Sequence, residues 1–400
     1  MKLLPLAKRL NEVQESATVA LAQRASALKR QGIDILAFGV GQPDFPTPDY
    51  ILTAARDALQ KSSHYTDVRG VLELRQAISE ESKKRRGGIS HRPDEIVVSV
   101  GAKHALFNLA LALYDPGDEV IIPAPYWVSY PEQVRLVGAQ PVIVPTLDQD
   151  NFILRPAALE QAITPRTKAL ILCTPSNPTG AAYTPSDLKA LADVAKRHAF
   201  WIIVDEIYSQ LVYDGFKQQS LLEVAPELKE RLIIIDGVSK AYAMTGWRIG
   251  WMLGPQAIAK ACDTIQGQAT TNPATIAQYA AIAALNGDPV VIDAMRQQFE
   301  KRRTVLIEGI NQIPGLCARM PDGAFYAFVD VRKLLGKRSG STLLSDDMAV
   351  SEWLLDKARC AAVPGTPFGA PGFIRFSYAT SIDTIEEGLR RIQSAVSELM

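Results

Sequence analysis

The chain has 400 residues, 43 basic side chains balanced by 43 acidic ones, and 47% hydrophobic residues. That length predicts two or three domains rather than one, and the apolar content excludes wholesale disorder. Zero net charge argues against a dedicated nucleic-acid binder, which carries a basic excess or a long Lys/Arg stripe.

Met1 to Leu10 holds four leucines but is interrupted by Pro5, Lys8 and Arg9. It lacks the unbroken apolar core and the cleavage site of a signal peptide. No stretch reaches the ~18 apolar residues that span a bilayer, so a cytoplasmic protein without membrane contact is expected. Lys83-Lys84-Arg85-Arg86, beside Gly87-Gly88, reads as a solvated helix end. From about residue 95 to 255, β-rich runs alternate with helical ones. The strands predicted are Ile96–Val100, Glu119–Pro123, Pro141–Val144, Ala169–Cys173, Trp201–Asp205, Leu232–Asp236 and Ile249–Leu253. Several are apolar throughout, as strands covered on both faces are. The helices between them are Lys103–Leu113, Trp127–Val137, Pro156–Ile163 and Pro185–His198, the last opening on Thr184 as N-cap and Pro185 in its first turn. This alternation predicts an α/β domain with a mixed, mostly parallel sheet. Ligands of such sheets gather beyond the carboxyl ends of the strands.

Residues 291–313 predict one long helix, followed by strands at Ala324–Val329, Ala361–Val363 and Phe373–Ser377 and a terminal helix over Ile385–Met400. Gly336 to Ser345 reads as a surface loop. The expected division is a large domain over 50–290 and, from 1–49 with 291–400, an N-terminal arm and a smaller α+β domain. The four cysteines (Cys173, Cys262, Cys317, Cys360) and four histidines (His64, His91, His104, His198) are scattered. They predict reduced thiols and no metal site.

Gly39-Val40-Gly41 begins like a dinucleotide fingerprint, but Asp44 stands where the third glycine belongs, and Pro43 and Pro46 forbid an immediate helix. No P-loop motif is present. The informative stretch is Gly237-Val238-Ser239-Lys240-Ala241-Tyr242-Ala243-Met244-Thr245-Gly246-Trp247-Arg248. It places Lys240 in the loop after a strand, with Arg248 opening the next. A partly desolvated lysine near a cation has a lowered pKa and suits Schiff-base chemistry with an aldehyde; an arginine fork suits a phosphate. Alone, the pair is equally compatible with a surface loop. Asp205 at the end of the buried strand Trp201–Asp205, Tyr208 three residues later, and Asn177 in Ser176-Asn177-Pro178-Thr179-Gly180 extend the pattern. Singly, Asp205 is compatible with capping a turn and Asn177-Pro178 with turn chemistry. Together, strand ends that carry lysine, acid, amide and arginine meet the needs of pyridoxal phosphate (PLP) as an electron sink: a covalent anchor, a partner for a protonated ring nitrogen, donors to a phenolate oxygen and a phosphate grip.

The chain resembles the fold-type-I PLP-dependent aminotransferases, and within class I the subgroup Ib bacterial aspartate aminotransferases. The resemblance runs nearly end to end, through Ser16-Ala17-Thr18-Val19-Ala20, Tyr126-Trp127-Val128-Ser129-Tyr130, Ile163-Thr164-Pro165-Arg166-Thr167-Lys168, Val363-Pro364-Gly365-Thr366 and Arg375-Phe376-Ser377-Tyr378-Ala379-Thr380. It implies that Lys240 is the covalent anchor and proton shuttle, Asp205 the ring-nitrogen partner, and Asn177 and Tyr208 donors to the cofactor's O3′. It further implies phosphate contacts from Arg248, Gly101, Ala102 and Lys103, and stacking by Trp127. Tyr65 resembles a tyrosine that reaches the phosphate of the other subunit in a homodimer. Arg375 resembles the arginine that grips the substrate α-carboxylate, with Gly41 nearby.

Two departures stand out. The animal-type enzymes carry a phosphate-contacting serine three positions before the lysine; here that residue is Gly237, which leaves Ser239 or the neighbourhood of Lys103 to compensate. They also use a partner-subunit arginine for the distal carboxylate, whereas Gly267-Gln268-Ala269-Thr270-Thr271-Asn272-Pro273 has none. In subgroup Ib that task resembles one for the lysine at the Lys103 position, with phosphate binding as its competing role. The activity implied is amino transfer from aspartate to 2-oxoglutarate. The rivals are a prephenate or aromatic aminotransferase, a PLP lyase or synthase, and a PLP-binding regulator, for whose extra DNA-binding domain the chain has no spare length.

Overall fold

Short aliphatic runs bounded by turn residues become the strands of a seven-stranded sheet. In the computed structural model, which describes residues 6–15 and 17–400, a two-residue strand β1 (Leu36–Ala37) comes first. The large sheet then takes β2 (Ile96–Val100), β3 (Glu119–Ala124), β4 (Gln140–Pro145), β5 (Thr167–Cys173), β6 (Trp201–Asp205), β7 (Leu232–Gly237) and β8 (Ile249–Leu253). Their order is β2-β8-β7-β6-β5-β3-β4. Only β8 runs against its neighbours, antiparallel to both β2 and β7. The sheet is therefore mixed and mostly parallel, and the predicted strands differ from these by at most two residues at an end. Met1 to Pro5 of the amino-terminal reading, and Ser16 of the first family motif, lie outside the described residues.

Alternate residues of each strand feed opposite faces. Val98, Ile121, Leu170, Ile202 and Ile234 join one core cluster, and Val97, Val120, Ile171, Ile203 and Ile235 another. Helices cover both faces, which is why these strands read as continuously apolar. A second, antiparallel sheet follows, ordered β14-β15-β10-β9, from β9 (Cys317–Ala318), β10 (Tyr326–Asp330), β14 (Val363–Pro364) and β15 (Phe373–Ser377). The helices Val290–Gln312 and Ile382–Ser397 contribute Phe299, Leu306, Ile310, Ile385 and Ile392 to its core. Ala361–Val363, expected as one strand, is split: β13 (Cys360–Ala361) pairs with β1, while β14 pairs with β15. The expected loop at Gly336–Ser345 contains a small ribbon of β11 (Arg338–Ser339) and β12 (Thr342–Leu343). Ile207, Tyr208, Leu211 and Tyr213, which directly follow β6, pack into this second core. The chain thus runs from the carboxyl end of β6, the central strand of the large sheet, into the smaller unit.

One sequence expectation fails. Lys83 and Lys84 are exposed, but Arg86 is only 1% exposed and donates to Glu206 (Nε to Oε2, 2.9 Å) and Asp236 (Nη2 to Oδ2, 2.9 Å). Arg85 also pairs with Asp236 and with Glu81. Glu206 and Asp236 are themselves buried at the ends of β6 and β7, where carboxylates require cationic partners. The turn at the helix end delivers both arginines inward.

Candidate active site

Register explains why the site forms where it does. Cys173 is opposite Asp205, Asp205 opposite Ile235, Gly237 opposite Gly250, and Val100 opposite Ile249. Because β8 is reversed, its first residues lie at the same sheet edge as the last residues of β2, β5, β6 and β7. Arg248, Gly101, Cys173 and Asp205 are thereby gathered at one edge, with Lys240 three residues beyond β7. A cavity of about 580 Å³ opens there. Among the sequence-selected residues it is lined by Gly41, Ala102, Lys103, Trp127, Asn177, Asp205, Tyr208, Ser239, Lys240, Arg248 and Arg375. Four cationic side chains thus face one carboxylate.

Asp205, 4% exposed, accepts from the Tyr130 hydroxyl (2.7 Å to Oδ2) and the Ile207 N–H (3.1 Å to Oδ1). Burial pushes its carboxyl up to about 6, against the pull of those two hydrogen bonds. A cation opposite it would favour the anion. The Lys240 ammonium donates to the Gly41 carbonyl (2.6 Å) and lies 5.6 Å from the Tyr208 ring centroid. Burial, reinforced by Arg375 and Arg248, pushes it down to about 7, so near neutral pH it is available both as acid and as base.

Arg375, on β15, is 1% exposed. It donates to Asn177 Oδ1 (2.8 Å) and the Gly39 carbonyl (2.9 Å), and its guanidinium lies 4.4 Å from the Tyr326 ring centroid. Among the described residues its buried Nε has no partner. Since Asn177 Oδ1 is taken by Arg375, its amide NH₂ is the group left for a ligand. Lys103 Nζ sits 4.9 Å over the Trp127 ring and has no carboxylate within ion-pair distance among the described residues. Partial desolvation, then the nearby Arg248, lowers the pKa of this otherwise exposed lysine.

These residues fit the phosphorylated pyridine expected from the sequence. Gly101 has φ +84°, and a Cβ there would lie 2.5 Å from Arg248 Nη2. The guanidinium therefore rests against bare backbone at the start of the 12-residue helix Ala102–Leu113, where free N–H groups favour an anion. Gly237 has a packing reason: a Cβ would come within 2.9 Å of Gly250 Cα and the Ile249 carbonyl across the β7–β8 pair. A serine cannot enter without moving that pair, whereas Ser239 is buried and lines the cavity.

Tyr65 is not in this cavity; it is 87% exposed. Its segment is nevertheless held, because Gln278 donates to Thr66 Oγ1 (3.0 Å) and accepts from the Val71 N–H (2.7 Å), and Gln266 donates to the Val68 carbonyl (2.6 Å). Sequence reasoning missed Tyr130 and Tyr326 as site residues, along with Thr18 and Val19, which also line the cavity. Tyr130 lay within a quoted motif three residues after Trp127. Tyr326 sat in a predicted strand of the smaller unit, with no signal of what it faces.

A family model described as "Aminotransferase class I and II" matches residues 33–392. The aspartate aminotransferase of Geobacillus stearothermophilus is 46% identical over 390 residues, covering 97% of this chain and 98% of that protein. A probable aspartate/prephenate aminotransferase of Rhizobium leguminosarum bv. phaseoli is 46% identical over 392 residues, with 97% and 98% covered. The solved aspartate aminotransferase of Thermus thermophilus with maleate superposes with a TM-score of 0.91 at 42% identity, covering 98% of this chain and 100% of that one.

Proposed function

Because the chain belongs to the class I and II aminotransferases, a family that uses PLP, we propose that it transfers the amino group of L-aspartate to 2-oxoglutarate, giving oxaloacetate and L-glutamate. The observation that carries this reading is the charge of the cavity, four cations against Asp205 alone. With Arg248 assigned to the phosphate, Arg375 to the α-carboxylate and Lys240 to the cofactor's aldehyde carbon, Lys103 is the cation left for the distal carboxylate of a dicarboxylic substrate. The relatives named for aspartate, and the Thermus structure with the dicarboxylate maleate, agree.

Bound PLP supplies an aldehyde carbon that bonds to amines and a ring that accepts the electron pair released at the substrate α-carbon. The protein does the rest. Asp205, oriented by Tyr130 and the Ile207 N–H, holds the proton on the ring nitrogen. Arg248, Ser239 and the backbone at Gly101, Ala102 and Lys103 would hold the phosphate; Trp127 would pack against the ring; the Asn177 amide and Tyr208 hydroxyl would donate to O3′. Arg375 holds the α-carboxylate and Lys103 the distal one. Lys240, neutral in part near pH 7, would serve as the base that takes the substrate α-proton and as the acid that gives it back. Closure of the smaller unit, with the Gly39–Phe45 segment, excludes water. That closure assumes a large domain over 50–290 and an arm and small domain from 1–49 and 291–400.

The active unit in this reading is a homodimer, with exposed Tyr65 completing the partner's phosphate site. The free, scattered cysteines agree with a reducing cytoplasm. A second reading, with prephenate as an additional oxo acid, is favoured by the Rhizobium relative's name. Assaying purified protein against a matrix of amino donors and oxo-acid acceptors, prephenate included, tests both. Aspartate or glutamate should be the best donors. Elimination products in place of new amino acid would point to a lyase and overturn the proposal.

A further inference from the structure

Tyr326 opens β10 and is buried at the meeting of the two units. Its hydroxyl lies 2.9 Å from that of Tyr208, and among the described residues neither hydroxyl has another hydrogen-bond partner. The two rings meet edge to face at 5.8 Å. The Arg375 guanidinium covers the Tyr326 ring at 4.4 Å, and a Cβ on Gly41 would lie 3.0 Å from the Tyr326 hydroxyl. Tyr326 therefore touches the residues proposed to hold the α-carboxylate, O3′ and the resting lysine ammonium.

One hydroxyl of the pair must donate to the other. If Tyr208 donated to Tyr326, its only proton would be spent within the protein and O3′ would lose a donor. The Arg375 guanidinium lies closer to the Tyr326 ring (4.4 Å) than the Lys240 ammonium does to the Tyr208 ring (5.6 Å), so it withdraws more electron density from the Tyr326 phenol and makes it the stronger donor. We propose that Tyr326 is a positioning residue of the reaction: it donates to the Tyr208 oxygen, turns the Tyr208 proton toward the cofactor's O3′, and links Arg375 to that proton. This rests on the role given above to Tyr208.

Tyr326→Phe removes one oxygen and keeps the ring beneath Arg375. The readout is the pH titration of the holoenzyme's visible chromophore. A donor on O3′ stabilises negative charge there and so favours the deprotonated chromophore; weakening it raises the midpoint. Tyr208→Phe should raise the midpoint most. Tyr326→Phe should raise it by about 0.5 unit, a threefold change in proton affinity. The double variant should match Tyr208→Phe alone, because Tyr326 acts through Tyr208. KM for aspartate should hold, since the Arg375 packing is retained. The double variant leaves no tyrosine hydroxyl orphaned, so it should fold; even if Tyr326→Phe folds poorly, a double-variant midpoint that differs from that of Tyr208→Phe shows Tyr326 acting independently of Tyr208 and overturns the inference. An unmoved midpoint in Tyr326→Phe beside a raised one in Tyr208→Phe, or a double variant shifted by the sum of both, overturns this inference alone. An unmoved midpoint in Tyr208→Phe overturns the Tyr208 role and this inference with it.

Discussion

In the proposed reading Lys103 sets the substrate class, and its replacement by alanine can be given a size. Its ammonium lies over Trp127 with no carboxylate to pair with among the described residues. A distal carboxylate brought within about 4 Å gains roughly 4 kcal/mol of attraction at a near-surface dielectric. Desolvating both groups offsets part of that gain. The net contribution falls to about 1.5–3 kcal/mol, the scale of a hydrogen bond between charged groups. Lys103→Ala should therefore lower kcat/KM for aspartate about 10- to 150-fold. It also removes the cation from the Trp127 face, worth about 0.5–1 kcal/mol at a partly exposed site, so phenylalanine should lose no more than about fivefold. Arg375→Lys keeps a charge but loses the fork that Asn177 and the Gly39 carbonyl orient. It should impair both substrates alike. Because partial desolvation and Arg248 lower the Lys103 pKa, the aspartate advantage should fade as pH rises through that pKa, while phenylalanine turnover does not follow. The assay is steady-state kcat/KM for the two donors at saturating PLP, which keeps a phosphate defect from imitating a substrate effect. Equal losses for aspartate and phenylalanine in Lys103→Ala would refute the reasoning and return Lys103 to the phosphate.

Arg86→Met leaves Glu206 without its cation, holding only the Ser220 hydroxyl, and leaves Arg85 as the one cation on Asp236, so urea unfolding should show a loss of about 3–5 kcal/mol; a loss below about 1 kcal/mol would mean that Arg85 suffices. For Lys240 the folded-state pKa of about 7 lies below the ordinary 10.5. Between those values the unfolded chain binds a proton that the folded chain lacks, so the stability of cofactor-free protein should rise with pH across that window. Lys240→Met should abolish this slope and be the more stable protein at pH 7, with the gap closing toward pH 10.5. Mixing Tyr65→Phe chains with Lys240→Ala chains should give heterodimers with one intact site and one doubly damaged. Full activity in a particle that sediments as a monomer would contradict the shared site.

The strands of the large sheet were legible because each is a short aliphatic run ended by turn residues, and both features are local. The same holds for Lys240, Asp205 and Asn177, each at or just past a strand end, where a mostly parallel sheet collects its ligands. What no local pattern carried was neighbourhood. The insertion of reversed β8 between β2 and β7 sets Arg248 against Gly101 and forbids a side chain at Gly237. Tyr326 comes from a strand more than 100 residues beyond Tyr208, and its partner is set by the packing of the segment after β6 into the second core. The run from Lys83 to Arg86 is uniformly basic in sequence, yet two of its members are drawn inward by carboxylates at the ends of β6 and β7. Residue type and spacing determine which elements form and which chemistry they carry. Which buried charge meets which is decided only when strands distant in the chain become neighbours, because a charge can leave water only where its partner already stands.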